Sequence, residues 1–183
     1  ILLNLFFGPM VNTAQAIANQ VNTAVFSFVS NFQMAIKPQI TKQYAAGDMT
    51  ETVSLIYRCS RYSFFLMIIL VVPVFINTDY LLRLWLQNVP AHTAAFLRLT
   101  LIATLLVTMW GGLATVVQAT GRIRLFQICI SGLMLMNLPV SYIALRIWDQ
   151  PTAVFYIAIA IEVVALVTRA VLADRQVDIR LSH

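Results

Sequence analysis

The sequence has 183 residues, of which 60% are hydrophobic and 10% are charged. A water-soluble domain carries about 25% charged residues, so this composition excludes a soluble globular protein and makes lipid the solvent for much of the chain. The formal net charge of +5 is read as membrane topology and not as a nucleic-acid footprint, because in an apolar chain basic residues report which loops stay in the cytoplasm.

The chain opens on Ile1 inside an apolar stretch reaching Phe7, with no basic n-region or small-residue cleavage site before it. It reads as the tail of a span, and the chain as part of a longer protein cut within a helix. Gly8-Pro9 breaks that stretch, and Pro suits a helix start. A helix is expected from Met10 to Lys37, ~42 Å long, ended by Pro38. Residues 38–61 then form a cytoplasmic connection. Within it, Asp48 and Glu51 resemble a capping box that opens a short amphipathic helix. Val53, Ile56, Tyr57 and Ser60 share one side of that helix, with Arg58 and Arg61 on its polar edge.

The most apolar span follows, Tyr62 to Ile76, with a kink expected at Pro73. Asn77 to Thr93 reads as an outer connection anchored by Tyr80 and Trp85. Further spans are expected over 94–120, containing Gly111-Gly112, over 125–147, interrupted by Pro139, and over 152–173. Gly121-Arg122 and Asp149-Gln150-Pro151 are the turns between them. Residues 174–183 make a cytoplasmic tail. The fold class is therefore all-α, a polytopic membrane helix bundle. Residues 1–183 form a single transmembrane domain of about five full transmembrane helices plus a truncated one.

Alternating crossings sort the basic residues onto two sides. Lys37, Lys42, Arg58, Arg61, Arg122, Arg124, Arg169, Arg175 and Arg180 share one side, and Arg83, Arg98 and Arg146 the other, nine against three. The positive-inside rule puts the nine in the cytoplasm, together with the C-terminus.

No HExxH, GxSxG, P-loop or GxGxxG motif occurs. The two cysteines, Cys59 and Cys129, have no metal-binding spacing. Neither an enzyme, a metal nor a cofactor is expected. The informative element is the helix from 10 to 37. Asn12, Gln15, Asn19, Asn22, Ser30, Gln33 and Lys37 follow one another at helical spacing, with Phe26 filling a gap, and make one polar stripe. Ala14, Ile17, Ala18, Val21, Val25 and Phe28 lie opposite. Uncompensated amides in hydrocarbon are costly. The stripe therefore lines a hydrated substrate cavity suited to a polar, sugar-bearing ligand, or serves as hydrogen-bond glue between helices. Glu162 is the one carboxylate near the middle of a span, where a charge costs at least about 2.5 kcal/mol. It either binds a proton or sodium ion whose gradient drives transport, or is a neutral acid bonded to a neighbouring helix. Arg122 and Arg124 either contact phosphate groups of a lipid-linked ligand or report topology and headgroup contact.

The segments LNLFFGPMVN (3–12), NFQMAIKPQITK (31–42), LWLQNVP (84–90) and ATGR (119–122) carry a family resemblance. Together they resemble bacterial polysaccharide exporters, the O-antigen and capsule flippases of the multidrug/oligosaccharidyl-lipid/polysaccharide superfamily. The resemblance implies twelve or more helices in two lobes around a central cavity in the inner membrane. This chain would be the second lobe, and the N-terminal lobe of the same chain its partner. The implied cargo is an undecaprenyl-pyrophosphate-linked oligosaccharide, moved to the outer leaflet with no bond made or broken. Where many relatives carry Arg-Gly, this chain has Gln15-Ala16, which shifts weight to Lys37 and the amides. The alternatives are a multidrug or toxic-compound extruder of the same superfamily, which calls for cavity acids, and a membrane enzyme of glycan assembly, which calls for paired acids or a His/Arg cluster.

Overall fold

Apolar runs punctuated by Gly and Pro yield helices throughout. The computed structural model describes residues 2–119 and 123–177. Eight helices follow in order among them: α1 (Leu2–Phe7), α2 (Pro9–Ala45), α3 (Met49–Ile76), α4 (Thr78–Trp85), α5 (Thr93–Thr108), α6 (Gly111–Ala119), α7 (Ile123–Trp148) and α8 (Ala153–Val177). No strand occurs among the described residues. Three helices are long and apolar enough to cross a membrane, over Met49–Ile76, Gln127–Trp148 and Ala153–Leu172. α5 is a shorter apolar helix, and α2 has the length but a polar flank. The fold is the expected all-α membrane bundle.

The helix ends follow local chemistry. Gly8 takes φ +82, a left-handed conformation only glycine adopts freely, and Pro9 opens α2 behind it. Gly47, also at positive φ, closes α2. Asp48 then caps α3, its carboxylate accepting the Glu51 amide at 3.0 Å. At the other end of α3, Thr78 donates its hydroxyl to the Val74 carbonyl at 2.7 Å. Arg98 on α5 reaches back to the same corner, pairing with Asp79 at 2.8 Å.

Four expected boundaries are corrected. Pro38 does not end α2, which continues to Ala45. A proline removes one N–H and frees one carbonyl, and here it sits exposed while Ile40, one half-turn on, packs with Ile56 and Cys59. The short amphipathic helix and the following span are one helix, α3, and only Ala46–Asp48 separates α2 from α3. The span expected over 94–120 is two helices, broken at Met109-Trp110. Residues 174–177 of the expected tail continue α8, and 178–183 lie outside the described residues.

α2 is the hub. It packs on α1, α3, α5 and α6, while α8 packs on α5 and α7. Ala14 and Ala18, both fully buried on α2, are small enough to let neighbouring backbones approach. They join a core of Val29, Met67, Val71, Phe96, Leu97, Leu101 and Phe155. Phe96 of α5 stacks on Phe155 of α8 with ring centroids 4.5 Å apart.

The α5–α6 break is held from α2. A break releases carbonyls at the end of α5, and hydrocarbon offers them no water. Gln33 supplies the donor: its Nε2 donates to the Thr108 carbonyl at 3.1 Å, both groups buried. Its amide occupies the space a side chain on Gly111 would need, since a Cβ there would lie 2.2 Å from Gln33 Cδ. Gly112 is similarly tight against α3, where a Cβ would lie 3.0 Å from the Ile56 carbonyl and 3.3 Å from Cys59 Cβ.

A mutant cycle tests this lock. Gly111→Ala is expected to destabilise the detergent-solubilised protein by about 1–3 kcal/mol, the usual cost of overpacking. In a Gln33→Ala background the same substitution is expected to cost far less. Additive effects in thermal unfolding would show that Gln33 does not fix the junction.

Candidate functional site

The polar stripe of α2 lies along the border of the helix's packed face. Ala14, Ala18, Val29, Gln33 and Ile40 are its buried positions. Of the residues opposite the stripe, Ile17, Val21 and Val25 pack onto the core, whereas Phe28 is 63% exposed. Gln15, Asn22 and Ser30 are half-buried, and Asn12, Asn19 and Lys37 are exposed. The stripe therefore runs from Gln33, engaged inside the bundle, to residues on an open flank.

Its hydroxyls and amides behave differently. Thr13, Ser27 and Ser30 donate to carbonyls of their own helix at 2.9, 2.7 and 3.1 Å, and so are satisfied locally. The amides of Asn12, Gln15 and Asn19 make no hydrogen bond among the described residues. Asn22 Oδ1 is buried and also lacks a partner there. A buried acceptor left unpaired costs about 1–3 kcal/mol, which marks this edge of the stripe as a place where a polar group belongs.

Gln15 faces a cavity of about 330 Å³ between α1, α2, α7 and α8, lined also by Leu2, Leu3, Asn137, Leu138, Ser141 and Val154. Its polar lining is neutral. Ser141 donates its hydroxyl to Asn137 Oδ1 at 2.8 Å. Neither residue stood out in the sequence, although an Asn and a Ser four apart around Pro139 in an apolar helix place two polar groups on one face. A second cavity, of about 520 Å³, is lined by Phe7, Val11, His92 and residues 149–152. It brings the Gly8 corner, the α4–α5 connection and the α7–α8 turn to one end of the bundle.

Glu162 is buried and paired. Arg169, two turns further along α8, donates to its Oε1, with the two side chains 9% and 10% exposed. The Arg169 guanidinium also lies over the Trp110 ring, 5.5 Å from its centroid. The pair thus sits against the α5–α6 break. The partner of Glu162 lies on its own helix and not on a neighbouring one. Arg169, counted at the cytoplasmic boundary from the sequence, is instead buried, and without it the basic residues divide eight against three. Arg122 lies outside the described residues, as does the side chain of Arg124. Among the described residues no cluster of His, Cys, Asp or Glu could hold a metal ion.

A family model described as MatE matches residues 1–143. The match covers most of the chain, which belongs to the MatE family, transporters of the flippase and exporter superfamily and not enzymes. No curated protein and no solved structure matches the chain. The Glu162–Arg169 pair lies in α8, beyond the matched residues.

Removing one member of a buried ion pair strands the other, at about 3–5 kcal/mol. Glu162→Gln is therefore expected to lower thermal stability in detergent more than the double replacement Glu162→Gln/Arg169→Leu. A single variant as stable as the wild type would show that the pair contributes nothing to the junction.

Proposed function

We propose that the chain forms one lobe of a transporter that flips a lipid-linked oligosaccharide across the bacterial inner membrane by alternating access. The cargo proposed is an undecaprenyl-pyrophosphate-linked glycan, moved from the cytoplasmic to the outer leaflet, with the C-terminus of this chain in the cytoplasm. A partner lobe of the same protein would complete the cavity.

The supporting observation is the neutrality of the polar surface. Asn12, Gln15, Asn19 and Asn22 keep amide groups without partners among the described residues, and the adjoining cavity adds only Asn137 and Ser141. Amides donate and accept at once, as sugar hydroxyls do, so such a surface matches a glycan along its length. A cationic drug would call for a free carboxylate, and the buried acid Glu162 already has Arg169. Lys37, exposed at the end of the stripe, is the group that would meet the cargo's pyrophosphate.

The test is rescue of a strain lacking its native flippase by the intact protein, compared with Asn19→Leu/Asn22→Leu at equal expression. Each neutral hydrogen bond contributes about 0.5–1.5 kcal/mol. The double variant is thus expected to lower surface glycan roughly 10-fold, trapping the lipid-linked intermediate in the cytoplasmic leaflet. Rescue by both forms would reduce the stripe to helix packing. No rescue, with efflux of a cationic dye instead, would move the assignment to a multidrug extruder.

A further inference from the structure

α3 carries a second pattern, on the face turned away from the bundle. Thr52, Ile56, Cys59, Ser63, Met67 and Val71 step by three or four residues along its buried face. Arg58, Arg61, Phe65, Ile69, Val72 and Ile76 also step by three or four, and all are exposed. Tyr62 sits beside them, 55% exposed. The outward stripe thus changes from cationic through aromatic to aliphatic along one helix. From Arg61 to Ile76 it rises about 22 Å, more than the ~15 Å of hydrocarbon in one leaflet.

The cations at its head are uncommitted. Neither Arg58 nor Arg61 has an ion-pair partner among the described residues. The Arg61 guanidinium lies over the Phe65 ring, 5.6 Å from its centroid, which holds it at the top of the apolar ladder. Arg58 and Arg61, three residues apart, are neighbours on the helix surface. Two planar guanidinium groups so placed offer paired N–H donors to phosphate oxygens. Because the stripe faces away from α2 and α6, its occupant comes from the surrounding bilayer and not from the α2 side.

We propose that Arg58 and Arg61 hold the phosphate of an anionic phospholipid in the leaflet nearest the α2–α3 turn, while Phe65, Ile69 and Val72 pack along its acyl chain. This site is independent of the cargo proposed above. A lipid bound there ties α3 to the membrane at the point where α2 and α3 leave it.

The purified protein in detergent is titrated with phosphatidylglycerol, with phosphatidylethanolamine and with undecaprenyl phosphate, and retained lipid is read by native mass spectrometry. Arg58→Gln/Arg61→Gln is expected to weaken phosphatidylglycerol binding about 30-fold, and each single variant about 5-fold. Phosphatidylethanolamine, whose ammonium offsets its phosphate, is expected to bind the wild type more weakly and to lose less in the variants, and an unchanged thermal unfolding midpoint separates loss of the site from misfolding. Should the double variant fail to fold, the single variants decide. Undiminished phosphatidylglycerol binding in the variants would overturn the proposal. So would displacement of phosphatidylglycerol by undecaprenyl phosphate with the same arginine dependence, which would make the stripe a cargo site.

Discussion

A backbone carbonyl released inside a bilayer has no water to turn to, and the packing at the centre of this bundle follows from that. The interruption at Met109-Trp110 would leave the Thr108 carbonyl bare in hydrocarbon, at a cost of several kcal/mol. Gln33 removes that cost by donating from α2. While its amide holds that bond, a Cβ on residue 111 would have to push it aside, because the amide fills the space of a Cβ. The neighbouring Gly112 lets α6 lie against the Ile56 carbonyl and Cys59 of α3. One hydrogen bond across 75 residues thereby sets where α6 sits against two other helices. Trp110, at the same break, receives Arg169 from α8, so the junction is gripped from both sides.

The same constraint sorts the polar side chains. Ser27, Thr100 and Thr168 return their hydroxyls to carbonyls of their own helices, which costs no tertiary contact. Glu162 and Arg169 cancel each other's charge within α8. Asn77 caps the end of α3 by donating to the Pro73 carbonyl, and among the described residues of α2 Gln33 is the amide that finds a carbonyl freed on another helix. The amides left over collect at the edge of α2. A polar but uncharged surface is thus what remains after the bundle has satisfied everything it can satisfy internally.

This division explains what was legible in the sequence. Helix existence followed from apolar runs, and the Asp48 cap and the Gly8-Pro9 corner from chemistry confined to adjacent residues. The stripe itself was plain from its spacing. What each member does was not, because Gln33 and Asn19 are alike in sequence and differ only in whether a broken helix lies opposite. Pro38 misled for a related reason. Proline specifies one missing N–H, but whether the helix survives depends on the packing of Ile40 against Ile56 and Cys59, a contact made between helices. The Glu162–Arg169 spacing of two turns was visible. Arg169, however, was grouped with the basic residues near the C-terminus, and only burial shows that it belongs to the acid.

Neutrality of the open surface also bears on how a transporter can work. A cargo that must be taken up on one side and released on the other is poorly served by a few strong contacts. Hydrogen bonds to charged groups contribute about 1.5–3 kcal/mol each and neutral ones about 0.5–1.5. Many weak bonds can be exchanged for water one at a time, so a neutral surface of this kind would keep the barrier to sliding low for the glycan proposed as cargo. A single cation such as Lys37 could anchor one end of such a cargo, whereas two adjacent guanidinium groups suit a phosphate that stays in place. Arg58 and Arg61 of α3, without an ion-pair partner among the described residues, are on the outer face, where a lipid phosphate of the kind proposed above could stay in place.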